Sequence, residues 1–228
     1  VLHAADIRRL EYHVSMSGHD EHILDSVAFL GEATGPLFLY EPGSDEAAAL
    51  YGALGALEVE QAAREWPFAE PKQALEAFTL INEGLAFGVD EDLTSEYRRL
   101  FVGPAPKAAP PWGSVYTDRE CVIFGATTLA LRAWLRESGI QVPGNGKEPE
   151  DHIGLMLLLM GWITRHRPEL LDAYLADHLL PWGPHLLSVV QRESQHPFFQ
   201  GLALLTASSL EGIQQVLSLD VAVPRFYR

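Results

Sequence analysis

The sequence predicts an all-α fold, a single-domain helical bundle of about nine to eleven helices with one proline-rich strap that is not helical. Three observations carry this reading. Apolar residues recur at helical spacing through most of the chain, Leu and Ala outnumber Val and Thr in those stretches, and no segment alternates polar and apolar residues as a half-buried strand would. Short Gly- and Pro-marked loops separate the periodic stretches, as in a bundle.

Taken in order, residues 1–15 are polar and read as an N-terminal extension, with Met16 a candidate natural start and one helical domain over 16–228. Ile23, Val27 and Leu30 begin a helix that Gly35-Pro36 should break or kink. Ser44, followed by Asp45 and Glu46, suits an N-cap, and Trp66-Pro67 ends the Ala- and Leu-rich pattern that follows. Pro71 opens another helix. Asp90, Glu91 and Asp92 load the next helix start, whose apolar residues Leu93, Tyr97, Leu100 and Phe101 share one face, with Glu96, Arg98 and Arg99 on the other.

The strap occupies 100–120. Pro104, Pro106, Pro110 and Pro111 remove amide donors and fix φ, which argues against helix or central strand. Trp112 and Tyr116 sit among them, followed by Asp118, Arg119 and Glu120. A rigid segment that carries aromatics between core helices suits a binding surface better than a solvated linker. Beyond it, Thr127 or Thr128 is expected to cap a helix that buries Leu131, Trp134 and Leu135 and closes at Gly139.

After the loop at 141–148, Pro149 is the expected first residue of a helix with Glu150 and Asp151 in its first turn. That helix, from Ile153 through Ile163, is apolar on all faces, so it belongs at the bundle centre. Pro168, Pro181 and Pro197 read as three further helix starts, and 221–228 as an extended tail.

Bulk composition narrows the function. The 228 residues carry 16 Lys and Arg against 31 Asp and Glu, a net charge of −15, which disfavours nucleic acid and suits a cationic partner. The single cysteine, Cys121, is expected to be a buried inert thiol, and its solitude fits a reducing compartment. The apolar run at 153–163 is too short to span a bilayer and the opening residues lack a signal-peptide core, so a cytoplasmic location is expected.

Few constellations could carry chemistry. Ser114 lies in Pro-Trp-Gly-Ser-Val, which is not a nucleophile elbow, and the 143–147 run lacks the spacing of a phosphate loop. The histidines are scattered without metal-ligand spacing. A helical metal-dependent phosphohydrolase remains the alternative function, motivated by the abundance of His and Asp, although the His-Asp pair that such proteins use occurs only at His19-Asp20, outside the core pattern. No catalytic residue, resident metal or cofactor is expected. Asp151-His152 is the polar pair of most interest, because His152 needs a hydrogen-bond partner at the edge of an apolar core.

The runs 96–104 (EYRRLFVGP), 110–120 (PPWGSVYTDRE), Ile123-Phe124-Gly125 and 148–154 (EPEDHIG) together resemble the TorD/DmsD family of chaperones for molybdenum-cofactor oxidoreductases, the DmsD branch above all. The likeness is strong over 96–162 and weaker through Leu180-Pro181-Trp182 and His196-Pro197-Phe198. It implies an all-helical, non-enzymatic protein that binds the twin-arginine leader of a partner enzyme and delays export until folding and cofactor loading are complete. The implied partners are the leader of a DMSO-reductase-like catalytic subunit and the twin-arginine translocon. The implied leader-binding residues are Tyr97, Leu100, Pro111, Trp112, Gly125, Asp151 and His152. One departure is Ala105, where DmsD-like proteins often carry an aromatic soon after the Gly-Pro. If the strap forms half of a site and Asp151-His152 the other half, the two should lie side by side with a groove between them.

Overall fold

The computed structural model describes residues 19–141 and 148–228. The expectation for residues 1–15 lies outside the described residues. Among those described, eleven α-helices and no strand are present. They are α1 (Glu21–Leu39), α2 (Asp45–Gly55), α3 (Val59–Glu65), α4 (Pro71–Gly84), α5 (Glu91–Tyr97), α6 (Gly113–Thr117), α7 (Ala126–Glu137), α8 (Ile153–His166), α9 (Leu171–Tyr174), α10 (Gly183–Glu193) and α11 (Pro197–Val216). A π turn, Arg98–Val102, extends α5, and a second, Leu175–Leu179, follows α9.

Helices α1 and α8 cross closely at the bundle centre. The crossing needs small residues: a Cβ built on Gly154 would stand 2.7 Å from the Gly35 carbonyl oxygen. Helix α8 seats Met156, Leu157, Met160 and Ile163 with no exposed surface. Its remaining stripe differs from the all-round burial expected, since Trp162 is 41% exposed and stacks on His166 at 4.8 Å.

Several local expectations hold. Asp90 caps α5 by accepting the Leu93 N–H at 2.9 Å, Pro71 and Pro197 open α4 and α11, and Gly139 follows α7 at φ +69°. Others do not. Helix α1 runs through Pro36 without ending, and the Tyr40 N–H still donates to the Pro36 carbonyl at 2.9 Å. Burial of Leu37 and Phe38 just beyond it offsets a helix penalty of about 3 kcal/mol for an interior proline.

Glu96 is buried rather than solvated, because Arg99 grips it at 2.7 and 2.9 Å while Ser194 Oγ and the Gln195 N–H donate to it at 3.1 and 2.6 Å. Burial alone would raise the Glu96 pKa, but these donors outweigh it and lower it. Ser44 stands at the N-cap of α2 without a side-chain capping bond. Helix α10 begins at Gly183, two residues after Pro181, with Pro184 in its first turn.

Three corrections concern the strap and its surroundings. Once the prolines end, residues 113–117 recover their donors and wind into α6, so the strap is not wholly non-helical. Gly125, not Thr127 or Thr128, stands at the N-cap of α7. Cys121 is exposed, together with Val122, Ile123 and Phe124. The cause is the loop before α7, which closes on itself as the Asp118 carboxylate accepts the Glu120 N–H at 3.1 Å and the Ala126 N–H at 3.4 Å.

The tail beyond α11 is irregular, as expected, but docked. Its Tyr227 N–H donates to the Tyr116 carbonyl at 2.9 Å, and Phe226 stacks on His185 at 3.8 Å.

Candidate functional site

The strap meets the mouth of α8 directly. Pro110 and Pro111 hold the chain extended, and Trp112 forms an antiparallel bridge with His152. The Ile153 N–H donates to the Pro111 carbonyl at 2.8 Å, and the Gly113 N–H to the Asp151 carbonyl at 3.1 Å. The two predicted halves therefore lie side by side. Among the described residues, backbone hydrogen bonds join the two halves directly, where a groove was expected between them.

Helix α8 starts at Ile153, four residues later than Pro149 would suggest. His152 is its N-cap, and the Gly154 N–H donates to His152 Nδ1 at 3.1 Å. Nδ1 thus carries no proton, and the neutral ring is the form that fits. Burial agrees, since it depresses the His152 pKa to about 3.

Asp151 is freed from the first turn and does different work. It has no exposed surface, and it accepts the Ser114 N–H at 2.7 Å and the Thr128 hydroxyl at 2.8 Å. One carboxylate thereby joins α6, α7 and the start of α8. Gly125 serves the same junction, because a Cβ there would come within 2.7 Å of Asp118 Oδ2.

The surface layer consists of Trp112 and its neighbours. The Trp112 indole N–H donates to Glu148 Oε1 at 2.5 Å, and the His152 ring meets the indole edge-on at 6.2 Å. The Lys107 ammonium stands over the indole, 5.3 Å from its centre. Partial desolvation beside the strap holds the Glu148 carboxyl above its usual range, with Asp151 adding to this and the Trp112 N–H and Lys107 opposing it. Alongside, Arg132 forks onto Glu150 at 2.8 and 2.6 Å.

The structure thus brings Pro111, Trp112, Asp151 and His152 together, with Gly125 against Ser114 and Asp118 beside them. Tyr97 and Leu100 lie outside that cluster. Leu100 has no exposed surface, and Tyr97 is buried with its hydroxyl donating to the Phe38 carbonyl at 3.3 Å. They support the strap from beneath, where the Ala109 N–H donates to the Leu100 carbonyl at 3.0 Å. Sequence reasoning missed Lys107 and Glu148 as site residues. Glu148 stood in the 148–154 motif, whereas nothing local marked Lys107. It also missed the hydroxyl of Thr128.

Apolar surface lies nearby. Leu155, Leu158, Leu159 and Trp162 of α8 line an open cleft of about 340 Å³ with Tyr40 and Ile140. The exposed Val122, Ile123 and Phe124 form a second apolar patch.

The model of the nitrate reductase delta subunit family matches residues 46–188. The chain is 41% identical to the Tat proofreading chaperone DmsD of Salmonella typhi over 90% of this chain and 97% of that one. It is 40% identical to the Tat proofreading chaperone DmsD of Salmonella typhimurium over the same shares. The chaperone protein TorD of Shewanella oneidensis is 29% identical over 57% of this chain and 63% of its own. By the family model and these relatives, the chain belongs to the TorD/DmsD family of redox-enzyme chaperones.

These relatives are named chaperones, not enzymes, which sets aside the phosphohydrolase alternative. The histidine of its His-Asp pair is engaged elsewhere, as His19 Nε2 lies 2.7 Å from Asp172 Oδ1. Among the described residues no helix is long and apolar enough to cross a membrane.

Proposed function

We propose that this chain binds the twin-arginine signal peptide of a molybdoenzyme precursor, with a DMSO-reductase-like catalytic subunit as the client, and holds it in the cytoplasm until it is ready for export. The observation that carries the reading is the Trp112–His152 bridge. It presents a half-exposed indole with a carboxylate, Glu148, at its edge, on a chain of net charge −15. A guanidinium group recognises that pairing of aromatic face and carboxylate. The apolar cleft on α8 and the patch at Val122 and Phe124 suit the apolar part of such a leader. Asp151 and His152 are assigned the role of holding Trp112 in place, and Tyr97, Leu100, Pro111 and Gly125 that of shaping the strap.

Micromolar binding requires about 8 kcal/mol net, which a few anchors on a pre-ordered strap can supply. The test is calorimetry with a synthetic twin-arginine leader. Wild type should bind, and Trp112→Ala, checked for folding by circular dichroism, should lose about tenfold or more in affinity. Equal binding by a folded Trp112→Ala protein removes this site, and no binding by wild type removes the reading.

A further inference from the structure

The face of Trp112 that would receive an arginine already has a cation on it. Lys107 belongs to the same strap, and its ammonium stands 5.3 Å from the indole centre. It also acts on Glu148, whose carboxyl it pulls down, yet it does not close into an ion pair with that carboxylate. The backbone of Lys107 is held in turn: its N-terminal neighbours bend through the strap prolines, and its carbonyl accepts the Arg228 guanidinium at 2.8 Å from the docked tail.

We infer that Lys107 is a built-in occupant of a guanidinium subsite made by the Trp112 ring face and the Glu148 carboxylate, and that an arginine of the incoming peptide displaces it. The inference rests on the leader-binding reading and names the atoms that receive one arginine. The chemistry favours the exchange. An ammonium is a compact point charge on a flexible stem, and here it covers the ring and attracts the acid without forming an ion pair with it. A guanidinium is planar, so it can lie on the indole and direct its forked donors past the ring edge towards the carboxylate. The intramolecular lysine is therefore the weaker occupant. While no peptide is present it keeps the carboxylate from standing uncompensated beside the indole, and it sets a threshold that a single lysine in a competing peptide does not exceed.

The experiment pairs Lys107→Ala with two ligands. By calorimetry, Lys107→Ala should bind a twin-arginine leader about five- to tenfold more tightly than wild type. The same leader with both arginines replaced by lysine should gain less, and Glu148→Gln should abolish the gain. N-acetyl-arginine amide, titrated against tryptophan fluorescence, provides a reading that needs no leader. It should perturb Lys107→Ala at lower concentration than wild type, and the response should disappear in Lys107→Ala/Trp112→Phe. If the leader binds wild type and Lys107→Ala equally, or binds the variant more weakly, Lys107 is not an occupant, although the leader-binding reading stands. If the leader binds neither but the arginine amide behaves as described, the subsite stands and the leader reading falls. An arginine amide response unchanged by Lys107→Ala overturns the subsite.

Discussion

Asp151 and Glu148 flank the same short turn and carry the same functional group, yet they behave as opposites. Asp151 has no exposed surface, and both its oxygens accept fixed donors, the Ser114 N–H and the Thr128 hydroxyl. Glu148 is exposed, and it accepts the indole N–H of Trp112 on one oxygen. The difference lies in what surrounds each carboxylate. A sealed carboxylate met by donors from two helices locks elements together, whereas an open one beside an aromatic face keeps capacity for a ligand. Trp112 and His152 mark the boundary between these layers, the first half-exposed and the second buried.

The largest effect should come from breaking the inner layer. Asp151→Ala leaves a buried amide and a buried hydroxyl without their acceptor, and should lower unfolding free energy by about 2–5 kcal/mol. Asp151→Asn, which retains one acceptor oxygen, should lose less. Chemical denaturation of the three proteins measures this, and a loss under about 1 kcal/mol for the alanine variant would mean that the junction does not depend on the carboxylate.

His152 tests the boundary through pH. Its folded pKa is depressed to about 3, while an unfolded histidine titrates near 6.5. Above about pH 6.5 both states are neutral and the group is silent. Below it the unfolded state binds the extra proton, so stability falls as pH drops from about 6.5 towards 3, by at most about 1.4 kcal/mol per pH unit. His152→Gln should flatten that part of the stability–pH curve. An unchanged slope would show that the ring takes up a proton without unfolding.

The smallest structural effect belongs to the outer layer. Glu148→Gln should change stability by about 0.5 kcal/mol or less, since the side-chain amide that replaces the carboxylate can still accept the indole N–H at an exposed position. Its consequence should appear in leader binding instead. A destabilisation as large as that of Asp151→Ala would erase the contrast between the two carboxylates.

Much of this architecture was legible in the chain. Helix periodicity, most of the proline and glycine punctuation, the acidic start of α5 and the side-by-side placement of the strap and Asp151-His152 are all legible in the sequence. The failures share a cause. Pro36, Glu96 and Cys121 were assigned from local propensity, and each was overridden by contacts beyond the local pattern: the buried Leu37 and Phe38, the Ser194 and Gln195 donors, and the Asp118 turn. Tyr97 and Leu100 show a different limit: their shared helical face was legible, and both are buried beneath the strap, but a face that supports a strap and a face that touches a ligand look alike in a one-dimensional pattern.

By itself, then, the sequence determined most of the helical segments and the punctuation at most of their ends. Those properties depend on local dihedral restrictions and on periodicity, which need no neighbours. Only the tertiary structure decided that Asp151 is sealed while Glu148 is open, and that Lys107 stands on the indole. Burial and donor supply arise from elements far apart along the chain, so the role of a carboxylate is set by packing rather than by its place in a motif.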